Sequence, residues 1–292
     1  IRGGGDVVLT DAANNFGTVA ANKSNDGFGV GTAGGSLQIV DVGTLTVDAG
    51  TDDLGTVTGI RVEDGSGSTI YTDQVPSPTA GASYAGVELA SGDINVLATI
   101  RIDTDNVPAN GESVLILRPT NPAASIGVGD GVGGECGGTC SYSLSATEFN
   151  LLSDGFAKLV IGTQDPDGSA TFGGGPAVGG SHLIAMNGTG ITLRDSIELH
   201  ASGGGRIRLG GSVTKSSTIG PNPPDIFLFG PTELITQNVT ANNFLDDVIV
   251  VVDDVTIDGG AGDITFGGAI ASDTSLGPVN RHNKLTITTT GD

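Results

Sequence analysis

Hydrophobic and polar positions alternate in short runs along most of the chain, and a glycine precedes many of these runs. Alternation with a period of two predicts β-strands. Glycine adopts the positive φ values that tight corners between strands require. The sequence therefore predicts strands of a few residues joined at glycine corners. Six runs share a turn glycine, one polar residue and a three-residue core: "GDVVL" from Gly5, "GSLQI" from Gly35, "GDINV" from Gly92, "GSATF" from Gly168, "GRIRL" from Gly205 and "GDITF" from Gly262.

The positions of these six glycines predict a repeat. All the separations between successive glycines except the first, from Gly5 to Gly35, are close to multiples of one length. A solenoid with a coil of roughly 19–22 residues would explain them and would give about 13–15 coils. We therefore predict an all-β chain folded as a parallel β-solenoid, with a β-sandwich of short strands as the alternative. The side chains predicted to point inward are Val7, Leu9, Leu37, Ile39, Ile94, Val96, Leu115, Leu117, Leu159, Ile161, Ile264 and Phe266.

One stretch, "SLSATEFNLLSDGF" at 143–156, breaks the strand pattern. Ser145 and Glu148 have the spacing of a capping box, and Gly155 is a suitable helix stop. The stretch predicts a short helix over 145–154. It lies in an insertion at about 130–156 of a single domain that spans residues 1–292.

Composition narrows the kind of core and the kinds of partner. The chain has no Trp and 4% aromatic residues, so its core must consist of small aliphatic side chains. With 33 acidic and 12 basic residues, its net charge of −21 makes nucleic acid and anionic membrane surfaces poor partners. No apolar run approaches the roughly 18 residues of a membrane-spanning helix. We expect neither nucleic-acid binding nor membrane insertion of this segment.

Cys136 and Cys140 are the two cysteines of the chain. A zinc site would need two further ligands, and the three histidines (His182, His200 and His282) lie far away in sequence without ligand spacing. In an exported protein such a pair predicts a disulfide that closes a tight loop. Because a short loop gains little from closure entropy, we expect local rigidity to be its purpose.

Calcium is the one cofactor for which the sequence offers ligands. Asp103, Asp105, Asp165 and Asp167 form two close carboxylate pairs, and Ca²⁺ takes six to eight oxygen ligands. The same residues are also typical of solvated turns, so both interpretations stay open. Separately, three triplets beginning at Asn22, Asn187 and Asn238 fit the acceptor pattern of N-glycosylation.

Several segments resemble a known group of proteins. These are "ASIGVGDGVGG" (124–134), "SLSATEFNLLSDGFAKLVIGTQDPDGSATFGG" (143–174), "LTDAANNFGTV" (9–19) and "GAGDITFGGAI" (260–270). They are similar to the large repetitive bacterial exoproteins of the filamentous-haemagglutinin and autotransporter-adhesin type. The resemblance implies export to the bacterial cell surface or medium, a right-handed parallel β-helix, and a role in adhesion or as a scaffold. It supplies no catalytic residues, and the "CGGTC" loop departs from the usual repeat.

Three classes of function remain for such a chain. The first is a non-enzymatic extracellular structural subunit of a filament, and the second is an adhesin segment that binds a surface or host glycan. The third is a polysaccharide-active β-helix enzyme. The sequence contains no GxSxG, Walker A or HExxH motif. It offers only Tyr71, Tyr84 and Tyr142 besides phenylalanine as aromatic platforms. The structural interpretation is therefore favoured, with other copies of the chain as partners.

The ends of a solenoid predict how such copies would meet. Terminal coils expose strand edges, and a head-to-tail contact that does not close on itself produces a filament. The chain opens with "IRGGGDVVLTD" and closes with "KLTITTTGD", and both are strand-and-corner motifs. The predicted end-to-end interface combines Ile1, Val7 and Leu9 with Leu285 and Ile287.

Overall fold

Strands dominate the described part of the chain. The computed structural model describes residues 1–2, 5–23, 34–63, 86–103, 114–152, 156, 158–162, 182–211, 213–215, 226–239, 249–251, 255–258, 270–272 and 285–288. One α-helix, α1 (Ala146–Phe149), and one 3₁₀ turn (Val132–Gly134) occur among these residues. The strands are β1 (Gly5–Leu9), β2 (Thr18–Val19), β3 (Ala21–Lys23), β4 (Gly34–Val40), β5 (Thr44–Val47), β6 (Ala49–Asp52), β7 (Gly55–Thr58), β8 (Ile60–Glu63), β9 (Gly86–Ser91), β10 (Asp93–Val96), β11 (Ile100–Asp103), β12 (Val114–Pro119), β13 (Ile126–Val128), β14 (Tyr142–Leu144), β15 (Lys158–Gly162), β16 (Leu183–Asn187), β17 (Thr192–Leu193), β18 (Ser196–Gly211), β19 (Thr214–Lys215), β20 (Ile226–Val239), β21 (Ile249–Val251), β22 (Val255–Asp258), β23 (Ile270–Ser272) and β24 (Leu285–Thr288).

The longest run of paired strands, which we call ladder one, is parallel throughout. It follows chain order through β1, β4, β9, β12, β15, the first part of β18, the first part of β20, β21 and β23. Its register aligns two inward rows of aliphatic side chains. One row runs from Val7 through Leu37, Val87, Leu115, Leu159 and Ile197 to Ile226, and the other runs from Leu9 through Ile39, Leu89, Leu117, Ile161 and Leu199 to Leu228.

Two further ladders lie beside ladder one. Ladder two contains β2, β5 and β10, then β14, β13, β16, the second part of β18, the second part of β20, β22 and β24. Ladder three contains β3, β8 and β11, and β17 pairs with β19. Leu37, Leu45 and Ile60, one from each ladder, belong to a single buried cluster. The three ladders therefore share one hydrophobic core.

Parallel pairing decides against the β-sandwich alternative. Sandwich sheets are antiparallel, whereas β6 and β7 form the one antiparallel pair among the described strands. This hairpin, with its tip at Asp53–Leu54, interrupts the chain between ladders two and three.

The predicted repeat length is wrong over most of ladder one. Val7 pairs with Leu37 and Leu37 pairs with Val87, so successive repeats are unequal and longer than predicted. Only the last pairings, such as Leu228 with Val251, approach the predicted length. The reason is that the glycine signature occurs at the start of strands on more than one ladder, so it does not mark one fixed position in each repeat. "GDVVL" lies on ladder one and "GDINV" on ladder two, so their separation is not a whole number of repeats.

Strand order is exchanged at one place in ladder two. β13 precedes β14 in sequence, but β13 pairs with the later strand β16 and β14 lies on the side of β10. Residues 129–141 connect these neighbouring parallel strands, which fits the dozen or more residues that such a crossover needs. We call the boundary between β10 and β14 the seam. No backbone ladder pairs these two strands among the described residues.

Most predicted inward side chains are where the alternation placed them. Eight are at most 5% exposed: Leu37, Ile39, Ile94, Val96, Leu115, Leu117, Leu159 and Ile161. Val7 and Leu9 are half-buried and pack against the same core, because they lie at its edge. Ile264 and Phe266 lie outside the described residues.

Candidate functional site

The disulfide loop, residues 129–141, is the most distinctive local structure. Cys136 and Cys140 form the predicted disulfide. Cys140 is 6% exposed and packs with Val132 and Ala185 on the outer side of ladder two. The disulfide therefore serves as part of a small second core as well as a covalent link.

Gly127 shows how closely this loop approaches the sheet. A Cβ atom at Gly127 would lie 2.7 Å from both Cys140 Sγ and Val132 Cγ2. The inward neighbours Ile126 and Val128 are fully buried, so Gly127 presents the opposite face of β13 to the loop. On the next strand but one, Arg208 Nη1 donates to Glu135 Oε2 at 2.6 Å and fastens the loop to the sheet.

Helix α1 follows the loop and begins as the sequence predicts. Ser145 is the N-cap, and its side chain and that of Glu148 form a complete capping box. The helix ends at Phe149 with Asn150 as C-cap, so the predicted extent of 145–154 is too long. Asn150 ends it because its side chain bonds Gly190 O and Thr192 N, which follow β16.

Two carboxylates cross the seam where the backbone ladder is missing. Glu148 Oε1 accepts a hydrogen bond of 3.0 Å from Val96 N of β10. Asp93 Oδ1 of β10 accepts one of 2.9 Å from Ser143 N of β14. Burial raises the pKa of Asp93, although the bond from Ser143 acts in the opposite direction. Side chains thus satisfy backbone donors that a regular ladder would have paired.

A third carboxylate, Asp41 between β4 and β5, also accepts hydrogen bonds from backbone donors. Asp41 is fully buried, and its Oδ1 accepts from Gly43 N at 2.7 Å. Its Oδ2 accepts from Phe16 N, which lies just before β2. Part of the acidity of this chain therefore consists of carboxylates that bond the backbone of neighbouring segments.

The outward face of ladder one carries two acid–base pairs that are almost completely buried. Arg118 Nε donates to Glu88 Oε1 at 2.8 Å, and His200 Nε2 lies 2.9 Å from Glu198 Oε2. Ile116 and Val160, on the strands between Glu88 and Glu198, are buried as well. Burial raises the pKa of Glu88 to about 7, with Arg118 opposing the shift.

Glu88 and Glu198 do not lie on neighbouring strands. They lie on β9 and β18, with β12 and β15 between them. Three strand spacings of about 4.8 Å separate their backbones by about 14 Å. Each carboxylate is paired with its own basic partner, Glu88 with Arg118 and Glu198 with His200.

His182 and Tyr142 are two further buried ionisable groups. His182 Nδ1 lies 2.9 Å from Ala124 O, and burial lowers the pKa of its imidazole. Tyr142 is fully buried, and burial raises the pKa of its hydroxyl. The environment favours the neutral form of both groups.

The calcium prediction stays a prediction. Asp103 lies in β11, while Asp105, Asp165 and Asp167 lie outside the described residues. No group of three or more His, Cys, Asp or Glu residues in the described part of the chain is arranged to hold a metal ion.

The acceptor asparagines lie in strands. Asn22 is in β3 and Asn238 in β20, while Asn187 ends β16. Asn187 Nδ2 donates to Asp130 O at 2.8 Å, and its Oδ1 accepts from Thr189 N. Both polar atoms of the Asn187 side chain therefore already hold neighbouring backbone groups.

A cavity with a mainly apolar lining opens beside β1 and β2. It has a volume of about 290 Å³, and its lining includes Leu9, Phe16, Val19 and Ile39 together with the polar residues Thr18, Thr51 and Asp52. Ile1, Val8 and Phe16 are exposed by 40%, 52% and 42%. Two members of the predicted end interface, Ile1 and Leu9, line this cavity. Leu285 and Ile287 lie in β24.

Comparison with known proteins adds no assignment. No protein-family model, curated protein or solved structure matches this chain. The resemblance to bacterial exoproteins therefore stays a prediction. None of the described helices is long or apolar enough to cross a membrane.

No local signal in the sequence predicts the contacts of Asp93 and Glu148 across the seam, or the buried outward pairs. Asp41 and Asp93 stand beside glycine corners, where acidic residues are normally solvated. Glu88 occupies an outward position of its strand, as the alternation requires. Its partner Arg118 lies on another strand, so only the register of β9 with β12 brings the two together.

Proposed function

We propose that this chain is a non-enzymatic, extracellular structural protein, a right-handed parallel β-solenoid that assembles end to end into a filament. The observation that carries the proposal is ladder one. Its parallel strands follow chain order, and its aliphatic rows continue without a register shift from β4 to the first part of β18. Rows of this kind are suited to stacking further coils of the same type.

The shared core supports the solenoid part of the proposal. Three ladders whose inward side chains meet in one cluster are the arrangement that a coiled chain with three sides would produce. The handedness rests on the resemblance to bacterial exoproteins and on the strong general preference for right-handed parallel crossovers.

The disulfide supports an extracellular location. Disulfides form and persist in oxidising compartments and are rare in the cytosol. The net charge of −21 opposes side-by-side association of filaments at low salt.

The open edge of the first coil supports assembly. Among the described strands, β1 pairs only with β4 and β2 only with β5. Exposed strand edges are templates for pairing with another chain. Exposed apolar side chains and the mainly apolar cavity lie at the same place.

Electron microscopy of the native material tests the proposal. We expect long unbranched filaments whose denatured chain runs near 28.9 kDa. A chain of several times that mass, containing this sequence as a segment, would overturn assembly from separate subunits. Glycan binding by the monomer, without filaments, would favour the adhesin hypothesis. Intact-mass measurement before and after reduction and alkylation provides a second check, since both cysteines should react only after reduction.

A further inference from the structure

Among the described residues, the first coil, which comprises β1, β2 and β3, has two of its three sides uncovered. Residues 1 and 2 occupy the edge of β3 on ladder three, where Asn22 N donates to Ile1 O at 2.9 Å. Arg2 in turn bonds the β6–β7 hairpin, through Asp52 Oδ2 and Gly55 O at 2.8 Å each. The edges of β1 and β2, on ladders one and two, carry no such cover among the described residues.

The β6–β7 hairpin lies beside the uncovered edges of β1 and β2. Gly50, Thr51 and Val57 of the hairpin line the cavity together with Leu9 and Val19 of the first coil. A Cβ atom at Gly50 would lie 3.3 Å from Ala20 Cβ, so the hairpin rests directly on the corner between β2 and β3. An incoming chain therefore meets a wall at ladder three and a mainly apolar recess at ladders one and two.

The far end of the described chain presents the same two ladders. β23 extends ladder one beyond β21, and β24 extends ladder two beyond β22. In register, Ile270 follows Ile249 in β23, while Leu285 and Ile287 follow Val255 and Ile257 in β24. These strands continue the parallel direction and the residue alternation of the ladders that begin at β1 and β2.

We propose, as a refinement that rests on the proposed function, that the opening of the first coil is occupied by β23 and β24 of a second copy. β23 of that copy pairs with β1, and β24 lies against β2, both in parallel. The pairing that continues the inward rows places Ile270 opposite Val7, Ala271 opposite Val8, and Ser272 opposite Leu9. The β6–β7 hairpin closes the third side, so the contact uses two ladders.

Engineered disulfides test this register. Directly paired strands are about 4.8 Å apart, which lies within the Cα separation of about 4.4–6.8 Å that a disulfide accepts. We expect the full chain carrying both Val8→Cys and Ala271→Cys to form a series of covalent oligomers under mild oxidation. The natural cysteines are already paired with each other.

Matched variants show whether the register is specific. Val8→Cys alone should stay monomeric on non-reducing gels, and so should Val8→Cys combined with Thr286→Cys, because Thr286 lies on ladder two. Covalent dimers of the single variant would indicate two first coils face to face and would overturn the proposal. A cross-link within one chain would do the same, since it would close the molecule on itself.

Filament formation is scored separately on the unmodified chain. Filaments together with no Val8–Ala271 cross-link would refute this register and leave the proposed function standing. Absence of filaments and of cross-links would refute both.

Discussion

Ladder one and the seam satisfy the backbone hydrogen-bond donors of their strands with different acceptors. Along ladder one, backbone hydrogen bonds join each strand to the next, and the inward rows contain only aliphatic side chains from Val7 to Ile226. At the seam, β10 and β14 lie side by side without a ladder, and the carboxylates of Asp93 and Glu148 accept the backbone donors instead.

The difference shows what an exchange of strand order requires. A regular ladder satisfies every backbone group through repetition, so its side chains need only be apolar and of suitable size. Where the order changes, the unpaired donors need specific acceptors at specific positions. The inward rows of ladder one should therefore be most sensitive to changes in side-chain size. The seam should be most sensitive to loss of the acceptor groups of Asp93 and Glu148.

The largest effect is expected for Leu117→Ala. Leu117 is fully buried in the middle of an inward row, between Leu89 and Ile161. Removal of its side chain leaves a cavity, and we expect a loss of about 2–5 kcal/mol in the free energy of unfolding, measured by urea denaturation. Leu54→Ala is the matched control, because Leu54 is 74% exposed at the hairpin tip and its truncation should change stability by less than about 0.5 kcal/mol. Equal effects of the two variants would contradict the assignment of the core.

Glu148→Ala probes the seam directly. The change removes the acceptor of Val96 N and half of the capping box. We expect a loss of about 2–3 kcal/mol, because a buried backbone donor is left unpaired and a helix cap is lost. Both oxygens of Glu148 accept hydrogen bonds, whereas Gln has a single acceptor oxygen, so Glu148→Gln should restore only part of the stability. A Glu148→Ala variant as stable as the wild type would contradict this role of Glu148 at the seam.

Gly127→Ala tests the packing of the disulfide loop on β13. Its Cβ would lie 2.7 Å from both Cys140 Sγ and Val132 Cγ2, so the loop must move outward. We expect a cost of about 2 kcal/mol, within the range of overpacked cores. Gly134→Ala, in the same loop but with no atom within 4 Å of the added Cβ, should be close to neutral. Thermal unfolding of the two variants side by side measures the difference, and a neutral Gly127→Ala would mean that the loop does not rest on the sheet.

The last expected effect is a pH dependence that originates on the outward face of ladder one. Burial raises the pKa of Glu88 from 4.5 to about 7, so the folded chain keeps a proton that the unfolded chain has lost in this interval. Stability should therefore fall as the pH rises from 4.5 through 7, by up to about 3 kcal/mol.

A comparison with Glu88→Gln isolates this contribution. His182 acts in the opposite sense, because its lowered pKa costs stability as the pH falls below 6.5. Both chains contain His182, so the difference in unfolding free energy between them, measured from pH 5 to pH 8, reports Glu88 alone. A difference that grows in favour of the wild type as the pH rises would mean that Arg118 holds the pKa of Glu88 low, contrary to the prediction.

Features that depend on local chemistry could be predicted from the sequence. Alternation identified rows such as Leu115 and Leu117, the Ser145–Glu148 spacing identified the capping box, and the cysteine spacing identified the disulfide. These features need information from only a few neighbouring residues. The repeat length needed more, because insertions such as the β6–β7 hairpin change it from one repeat to the next.

The pairing partners of the strands could not be predicted in the same way. The sequences of β13 ("SIGV" with the preceding Ser125) and β14 ("YSL") do not show that β13 lies between β14 and β16. Parallel strands with apolar residues at alternate positions have the same pattern, so the pattern alone cannot order them. The role of Asp93 and Glu148 depends on that strand order. The pairing of Arg118 with Glu88 depends on the register of β9 with β12. Long-range register is a property of all the ladders together.

The exchange of β13 and β14 also has a lasting geometric effect. Between β9 and β18, ladder one contains β12 and β15, while ladder two contains β14, β13 and β16 between β10 and the second part of β18. One ladder has therefore gained an extra layer, about 4.8 Å high. Over the same stretch of chain the two ladders therefore contain different numbers of strands. The connection that brings β14 to the side of β10, residues 129–141, contains the Cys136–Cys140 disulfide.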